Sequence, residues 1–455
     1  MNDSFELYDL RVELIRFEWW RCVTDGAQIW DYFEVRGENI FIPDGKWFSF
    51  YNLAAIIPLL AAKQRVHNHS NDWMELDDEI HAPDANCWAI FKIHRTGKRT
   101  FYTHLTSWNK KMWIHKNTTL RDWTSHARII NGCWQFSEWH SHQTENPEET
   151  IQQYINAWHT VFDGADIYTW VEELLWKMIQ KNGLHKIRFH TKHVPDLLDI
   201  QSWALSEAET QRSIFRSLER LGIKKLSNVQ FHWWDYTKSG YEISIKTLEK
   251  LQKEGYIEHI WVTNTNVAEL EKWKNELWFI PISSQNQYSI IDRRPKKHLI
   301  QYTKTYQIAL YCYGSLMWWL LSDRYLRTKE PSEPLENRSL RKYLRVIHDW
   351  GNWELFQELL LTLSNIWNKH WVSISEVAAA WVLHQDWVSS IIVGIRSSRH
   401  LDSLDRIYDL HLDCEDIQQI DAIYEKWIPL EGDVFDLERN EPRHRDIMKF
   451  NLNKE

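Results

Sequence analysis

The stretch Val161–Trp170, VFDGADIYTW, starts as an apolar run and ends in two carboxylates and a tyrosine. It then passes directly into the helical VEELLWKMIQ. A strand that delivers titratable groups at its C-terminal end and then enters a helix has the form of a barrel strand presenting chemistry. The same form recurs along the chain. Lys192 lies near the end of KIRFHTKHV, His232 in NVQFHWWDY, and Thr263 and Asn264 at the end of IEHIWVTNT. Gln285 falls in FIPISSQNQYS and Tyr313 in IALYCYGSL, while SSIIVGI runs on through Arg396, Ser398, Arg399 and His400. Each residue alone is an ordinary strand-end polar group. One set per strand, with Asp163 and Tyr168 on the second, is the inventory of an active site built at strand ends.

These residues need elements to bring them together. From about Arg128 to Leu404, eight strand-like runs (the first is RIINGCWQF) alternate with amphipathic stretches such as SEAETQRSIFRSLERLG and WELFQELLLTLSNIWNKH. That count and length predict an α/β fold, a (β/α)8 TIM barrel. A doubly wound open sheet is the rival, but the glycine-rich phosphate turn that usually opens one is absent. Ser206 with Glu209 three residues on predicts a capping box. The polar SDRYLRTKEPSEPLENRSLRKYLRVIHDWGNW reads as an irregular cover over the barrel mouth. Residues 1–112 read as a small α+β domain, with YDLRVELIRF, WDYFEVRGENIFI and CWAIFKIHRTGKRTFYTHL as antiparallel strands and FYNLAAIIPLLAAKQR as a helix. The expected organisation is 1–112 domain, 113–127 linker, 128–430 barrel and 431–455 C-terminal tail.

Residues 128–425 resemble the aldo/keto reductase family. FDGADIY is similar to its Asp-x-x-x-x-Tyr element, HTKHVP to its strand-three lysine segment and NVQFHWWDY to its strand-four histidine segment. VTN, SSQNQYSIIDRRP and YCYGSL are similar to its nicotinamide-binding segments. The resemblance implies an NADPH-dependent oxidoreductase that reduces an aldehyde or ketone by hydride transfer, without a metal. Asp163, Tyr168, Lys192 and His232 would then be catalytic. Tyr168 would be the general acid, its pKa lowered by Lys192, which Asp163 keeps charged and oriented. His232 would donate a hydrogen bond to the substrate oxygen. Thr263, Asn264 and Gln285 would hold the nicotinamide carboxamide and Tyr313 would stack on the ring. Arg396, Ser398, Arg399 and His400 would bind the adenosine phosphate, a basic cluster that favours NADPH over NADH. A second reading is a non-catalytic NADPH-binding sensor or scaffold that retains the barrel.

Bulk properties fit this reading. The 455 residues are 43% apolar and 26% charged, ordinary for a globular protein. A net charge of -9 gives no support for nucleic acid or an anionic membrane as partner. Cys22, Cys87, Cys133, Cys312 and Cys414 are scattered and odd in number, as in a reducing compartment. The N-terminus lacks a secretory pattern and NLAAIIPLLAA is too short to span a bilayer, so the expected location is cytoplasmic. His140 and His142 have no further ligand at metal-site spacing. The aromatics of HWWDY suit a substrate wall better than nucleic-acid stacking, and the acids of DWMELDDEIHAPD lack calcium-loop order.

One value is abnormal: 29 Trp against 14 Gly. About 7% glycine, roughly 32 residues, is usual for this length. Trp176, Trp261, Trp318, Trp319 and Trp371 stand where the family has glycine, and Trp158, Trp170 and Trp278 join them. Tryptophan in such places costs roughly 1–3 kcal/mol each through strain or overpacking. Decoding UGA as tryptophan in a gene whose lineage reads it as glycine would produce this pattern. Trp134, Trp233, Trp234, Trp350 and Trp381 fit the family as tryptophan.

Overall fold

The computed structural model describes residues 4–22, 28–37, 39–43, 46, 48–66, 77–81, 87–102, 116–137, 146–196, 200 and 205–448. His140, His142 and the two ends of DWMELDDEIHAPD (72–76 and 82–84) lie outside these described residues. The chain divides into two compact units, residues 1–112 and 113–455.

The first unit is an antiparallel sheet with one helix. Its strands β1 (Ser4–Cys22), β2 (Tyr32–Arg36), β3 (Asn39–Phe41), β4 (Glu79–His81) and β5 (Cys87–Tyr102) lie in the order β3-β2-β1-β5-β4. Alternation along β1 sends Leu10, Val12 and Leu14 to one face, where they pack with Phe33, Val35, Phe91 and Ile93. Ile56 and Leu60 of the helix Phe50–Lys63 close that core. The intervening Arg11 and Glu13 pair with each other at 3.0 Å.

The second unit is a closed barrel of eight parallel strands. Its strands are β8 (Ile129–Gly132), β9 (Val161–Asp163), β10 (Arg188–His193), β11 (Leu226–Phe231), β12 (Ile257–Thr263), β13 (Ser283–Gln287), β14 (Ala309–Tyr313) and β15 (Val388–Gly394). Closure is direct, since Ile391 and Ile392 of the last strand pair with Ile129 and Ile130 of the first. The (β/α)8 expectation therefore holds. Surrounding helices bury an apolar stripe, as Leu248 and Leu251 of the helix Tyr241–Lys253 show, whereas the helix Ile374–Leu383 is buried along its whole length. A hairpin of β6 (Asn117–Thr119) and β7 (Ser125–Ala127) fills the stretch read as a linker and sends Leu120 into the barrel floor with Trp261 and Tyr311. No helix among the described residues is long and apolar enough to cross a membrane.

Two local expectations change. Ser206 caps its helix by accepting from the Glu209 amide at 3.2 Å, but the Glu209 carboxylate turns to Arg212 at 2.9 Å instead of closing a box. The cover above the mouth is not wholly irregular, for it contains the helix Arg338–Trp350. Asn337 caps that helix, and Leu340, Tyr343, Leu344, Ile347 and Trp350 form its buried face.

The tryptophans divide by backbone conformation. Among the described residues, thirteen non-glycine residues have φ between +48° and +79°, and eight are tryptophan: 30, 123, 158, 170, 278, 318, 319 and 371. Trp278 and Trp371 end their helices in the left-handed conformation, the usual place of glycine. Both are almost fully exposed, at 90% and 88%, so no packing offsets the strain. Trp170 has φ +53° as the residue that opens the helix Val171–Asn182. Trp176 and Trp261 lack positive φ. Trp261 instead fills the barrel floor, 4.7 Å from His190 and 4.6 Å from Tyr311, with its indole N–H unpartnered. Trp233 is different again: it is fully buried and its Nε1 donates to Asp235 O at 2.9 Å.

Candidate active site

The loop after β9 must turn tightly to bring Tyr168 back over the barrel. Gly164 makes this possible, because a Cβ there would meet the Phe189 ring at 2.5 Å. Tyr168 N then donates to Ala165 O at 3.0 Å, setting the tyrosine beside Trp134 with ring centroids 4.7 Å apart.

Asp163, at the end of β9, is the hub. Its Oδ2 accepts from Lys192 Nζ at 2.7 Å, and its Oδ1 accepts from Gln230 Nε2 at 2.7 Å and Gln285 Nε2 at 3.0 Å. Lys192 also donates to Gly164 O at 2.7 Å, and its Nζ lies 5.4 Å from the centre of the Tyr168 ring. Next along the barrel, His232 Nδ1 lies 3.2 Å from Thr263 O. A carbonyl oxygen only accepts, so Nδ1 carries the hydrogen and the neutral ring presents Nε2 as an acceptor. That Nε2 is buried without a partner. Tyr313 donates to Asn264 Oδ1 at 2.7 Å, and Asn264 takes φ +56° to turn the chain there.

These groups open into one cavity of about 420 Å³. Its wall includes Asp163, Tyr168, Lys192, His232, Thr263, Asn264, Gln285 and Tyr313, so eight of the twelve residues singled out in the sequence meet there. Arg396, Ser398, Arg399 and His400 stand beyond it, after β15. Arg396 pairs with Glu336 at 3.0 Å, and the Trp319 indole lies over His400 with centroids 4.4 Å apart.

Burial sets the protonation states. It pushes the Tyr168 hydroxyl well above its ordinary value, and the Asp163 charge adds to the effect. Burial thus outweighs the expected lowering by Lys192, whose ammonium is directed at Asp163 and Gly164 O. Burial, followed by the Arg439 charge, lowers His232 to about 3, so the imidazole is neutral. With Nδ1 donating to Thr263 O, the expected donation from His232 to a substrate oxygen would need either the imidazolium or the other neutral tautomer, which gives up that bond. Asp166, the other carboxylate of the turn, rises to about 7 through burial and the nearby Glu172.

Several wall residues escaped the sequence reading. Asn337, Lys342 and Tyr343 come from the helical cover, and Ile447 and Met448 from the segment read as a tail. That segment folds back over the barrel. Phe435 lies 5.6 Å from the His232 ring, and Arg439 donates to Trp233 O at 3.0 Å and Asn264 O at 2.6 Å. Glu438 is fully buried between Arg294 at 3.3 Å and Lys342 at 3.1 Å. The adjacent acid and base at 438 and 439 were the available signal, since opposite charges side by side in a terminal segment can clip it down.

The profile of the Aldo/keto reductase family matches residues 128–425. Aldo-keto reductase YhdN of Bacillus subtilis is 23% identical over 319 residues, covering 66% of this chain and 91% of that protein. Glyoxal reductase of Bacillus subtilis is 28% identical over 216 residues, covering 47% of this chain and 63% of that protein. Among solved structures, the glycerol dehydrogenase AKR11B4 from Gluconobacter oxydans aligns with a TM-score of 0.59 at 18% identity, covering 70% of this chain and 98% of its own. The thermostable aldo-keto reductase Tm1743, in complex with the inhibitor epalrestat, aligns with a TM-score of 0.52 at 19% identity, covering 68% and 99%.

Proposed function

The chain belongs to the aldo/keto reductase family, and on that premise we propose that it is a cytoplasmic NADPH-dependent reductase of aldehydes or ketones with Tyr168 as the proton donor. The observation that carries this reading is the convergence of Asp163, Tyr168, Lys192 and His232 on one cavity. The nicotinamide end of a dinucleotide suits the wall between β12 and β14, where Thr263, Asn264, Gln285 and Tyr313 supply amides, hydroxyls and a ring face. Bound there, the dinucleotide supplies the hydride.

The protein groups manage the oxygen. Tyr168, held neutral by burial, gives its proton to the oxygen of the carbonyl as that oxygen gains charge. The Lys192 ammonium, fixed by Asp163, stabilises the tyrosinate left behind. His232 takes a different part from a donor: the new hydroxyl donates to its unpartnered Nε2, which orients the alcohol. Trp134, Trp234, Phe435 and Met448 surround this region with apolar surface, which suits a substrate with an apolar body.

The test is NADPH oxidation against a panel of carbonyl compounds, comparing the protein with Tyr168→Phe. A loss of turnover of about a hundredfold or more is expected. Equal rates in the two would remove Tyr168 as the donor. The sensor reading has one observation in its favour, the Trp319 indole over His400 on the phosphate side. Tight NADPH binding without turnover of any carbonyl would select it.

A further inference from the structure

The backbone carbonyls just beyond His232 and Thr263 share one donor. Arg439, from the returning C-terminal segment, donates through Nη2 to Trp233 O at 3.0 Å and to Asn264 O at 2.6 Å. Its Nε donates to Trp234 O at 3.3 Å. We infer that Arg439 is a positioning residue that braces the loop after β11 against the loop after β12, fixing His232 and Asn264 relative to one another on the pocket wall. Toward the nicotinamide, this role rests on the dinucleotide reading above.

The guanidinium is a costly way to fasten a chain end. Arg439 is 7% exposed, and its Nη1 is buried with no partner among the described residues. A buried charge with one donor left bare costs stability, so an apolar side chain would anchor the segment better. Phe435 already packs on the His232 ring, and Glu438 ties the segment to Arg294 and Lys342. What only a guanidinium provides is a planar fork that reaches carbonyls of two loops at once, here with its face 4.0 Å from the centre of the Tyr236 ring. The groups it joins need bracing. Asn264 holds φ +56°, a conformation that a residue with a side chain keeps only where its surroundings fix it. The Asn264 carbonyl accepts from the Tyr236 hydroxyl at 3.1 Å as well as from Arg439, and its Oδ1 takes the Tyr313 hydroxyl. The bond between His232 Nδ1 and Thr263 O spans the same two strand ends, one residue before Trp233 and Asn264.

Three variants of the full chain test this. Arg439→Lys keeps the charge and loses the fork, and Arg439→Met loses both. Asp349→Asn loosens the same segment at its Arg443 and His444 contacts, away from the pocket wall. Fluorescence titration with NADPH is expected to show affinity weakened about tenfold or more in both Arg439 variants. Asp349→Asn should stay within about twofold of the parent. Nitrogen-15 NMR of the His232 ring, assigned by difference against His232→Gln, adds a readout that lost stability alone does not move. The Nδ1–H tautomer is expected in the parent and in Asp349→Asn, and a mixture with the Nε2–H form in Arg439→Lys. Should the methionine variant fold poorly, the lysine variant carries both readings. Parent-like affinity or an unchanged tautomer in Arg439→Lys, or an equal loss of affinity in Asp349→Asn, overturns the inference and leaves the proposed reaction standing. Failure of the parent to bind NADPH removes the reductase reading, and the tautomer then decides on Arg439 alone.

Discussion

The pair Lys192–Asp163 sits almost dry, with side-chain exposures of 8% and 6%. Removing one member strands a buried charge, so Asp163→Ala should destabilise the protein by about 3–5 kcal/mol. The double variant with Lys192→Met should lose clearly less than the sum of the single changes. Denaturant midpoints of the three variants check this, and simple additivity would argue against coupling. At this scale the sequence revealed identities better than roles. Asp163, Tyr168, Lys192 and His232 were legible because each ends or follows a strand whose apolar run points at it. The hold of Asp163 on Lys192 was expected and is seen at 2.7 Å, but the His232 tautomer and the desolvation of Tyr168 were not legible, because they depend on distances that no spacing encodes.

Elements were legible where short strand-like runs alternate with amphipathic stretches, as for all eight barrel strands. They were missed where polar residues masked an amphipathic stripe, as in Arg338–Trp350, or where buried charges replaced apolar anchors, as around Glu438. The glycine deficit also resolves at this scale. Six tryptophans singled out in the sequence (158, 170, 278, 318, 319 and 371) have positive φ, and the backbone adds Trp30 and Trp123. Trp278→Gly and Trp371→Gly should each stabilise by about 1 kcal/mol, since the left-handed helix end is relieved and little packing is lost. Trp233→Gly should instead cost about 3–5 kcal/mol from the core. Thermal melts of the three variants separate the cases. Peptide masses from the protein in its own host should give glycine at the eight positions and tryptophan at 233 and 350. Tryptophan throughout would end the codon explanation.

Across the whole molecule, burial of neutral imidazoles ties stability to acidity. His126, His193 and His232 are each lowered to about 3, chiefly by burial. In the unfolded chain they take up protons below about 6.5, so the unfolded state binds more protons between these limits and stability falls as pH falls. Asp166 has the opposite sign, because the folded state keeps its proton up to about 7 whereas the unfolded carboxyl releases it above about 3.9. Near pH 5.5 the three histidines outweigh Asp166, and His190, His384 and His444, lowered likewise by burial, add to the same side, so stability should drop by at least about 2 kcal/mol per pH unit. Melting temperatures from pH 7 down to 4.5 check this, and a flat profile between 7 and 5 would contradict it. The returning C-terminal segment has a consequence for synthesis. On the ribosome, β15 can close against β8 while residues 435–448 are still to be made or remain in the exit tunnel. Phe435, Arg439 and Met448 reach the cavity last, so the nascent chain passes through a closed barrel whose pocket lacks one wall. The pocket thus gains that wall only once residues 435–448 have emerged, and a product terminated shortly after β15 would be a barrel without it.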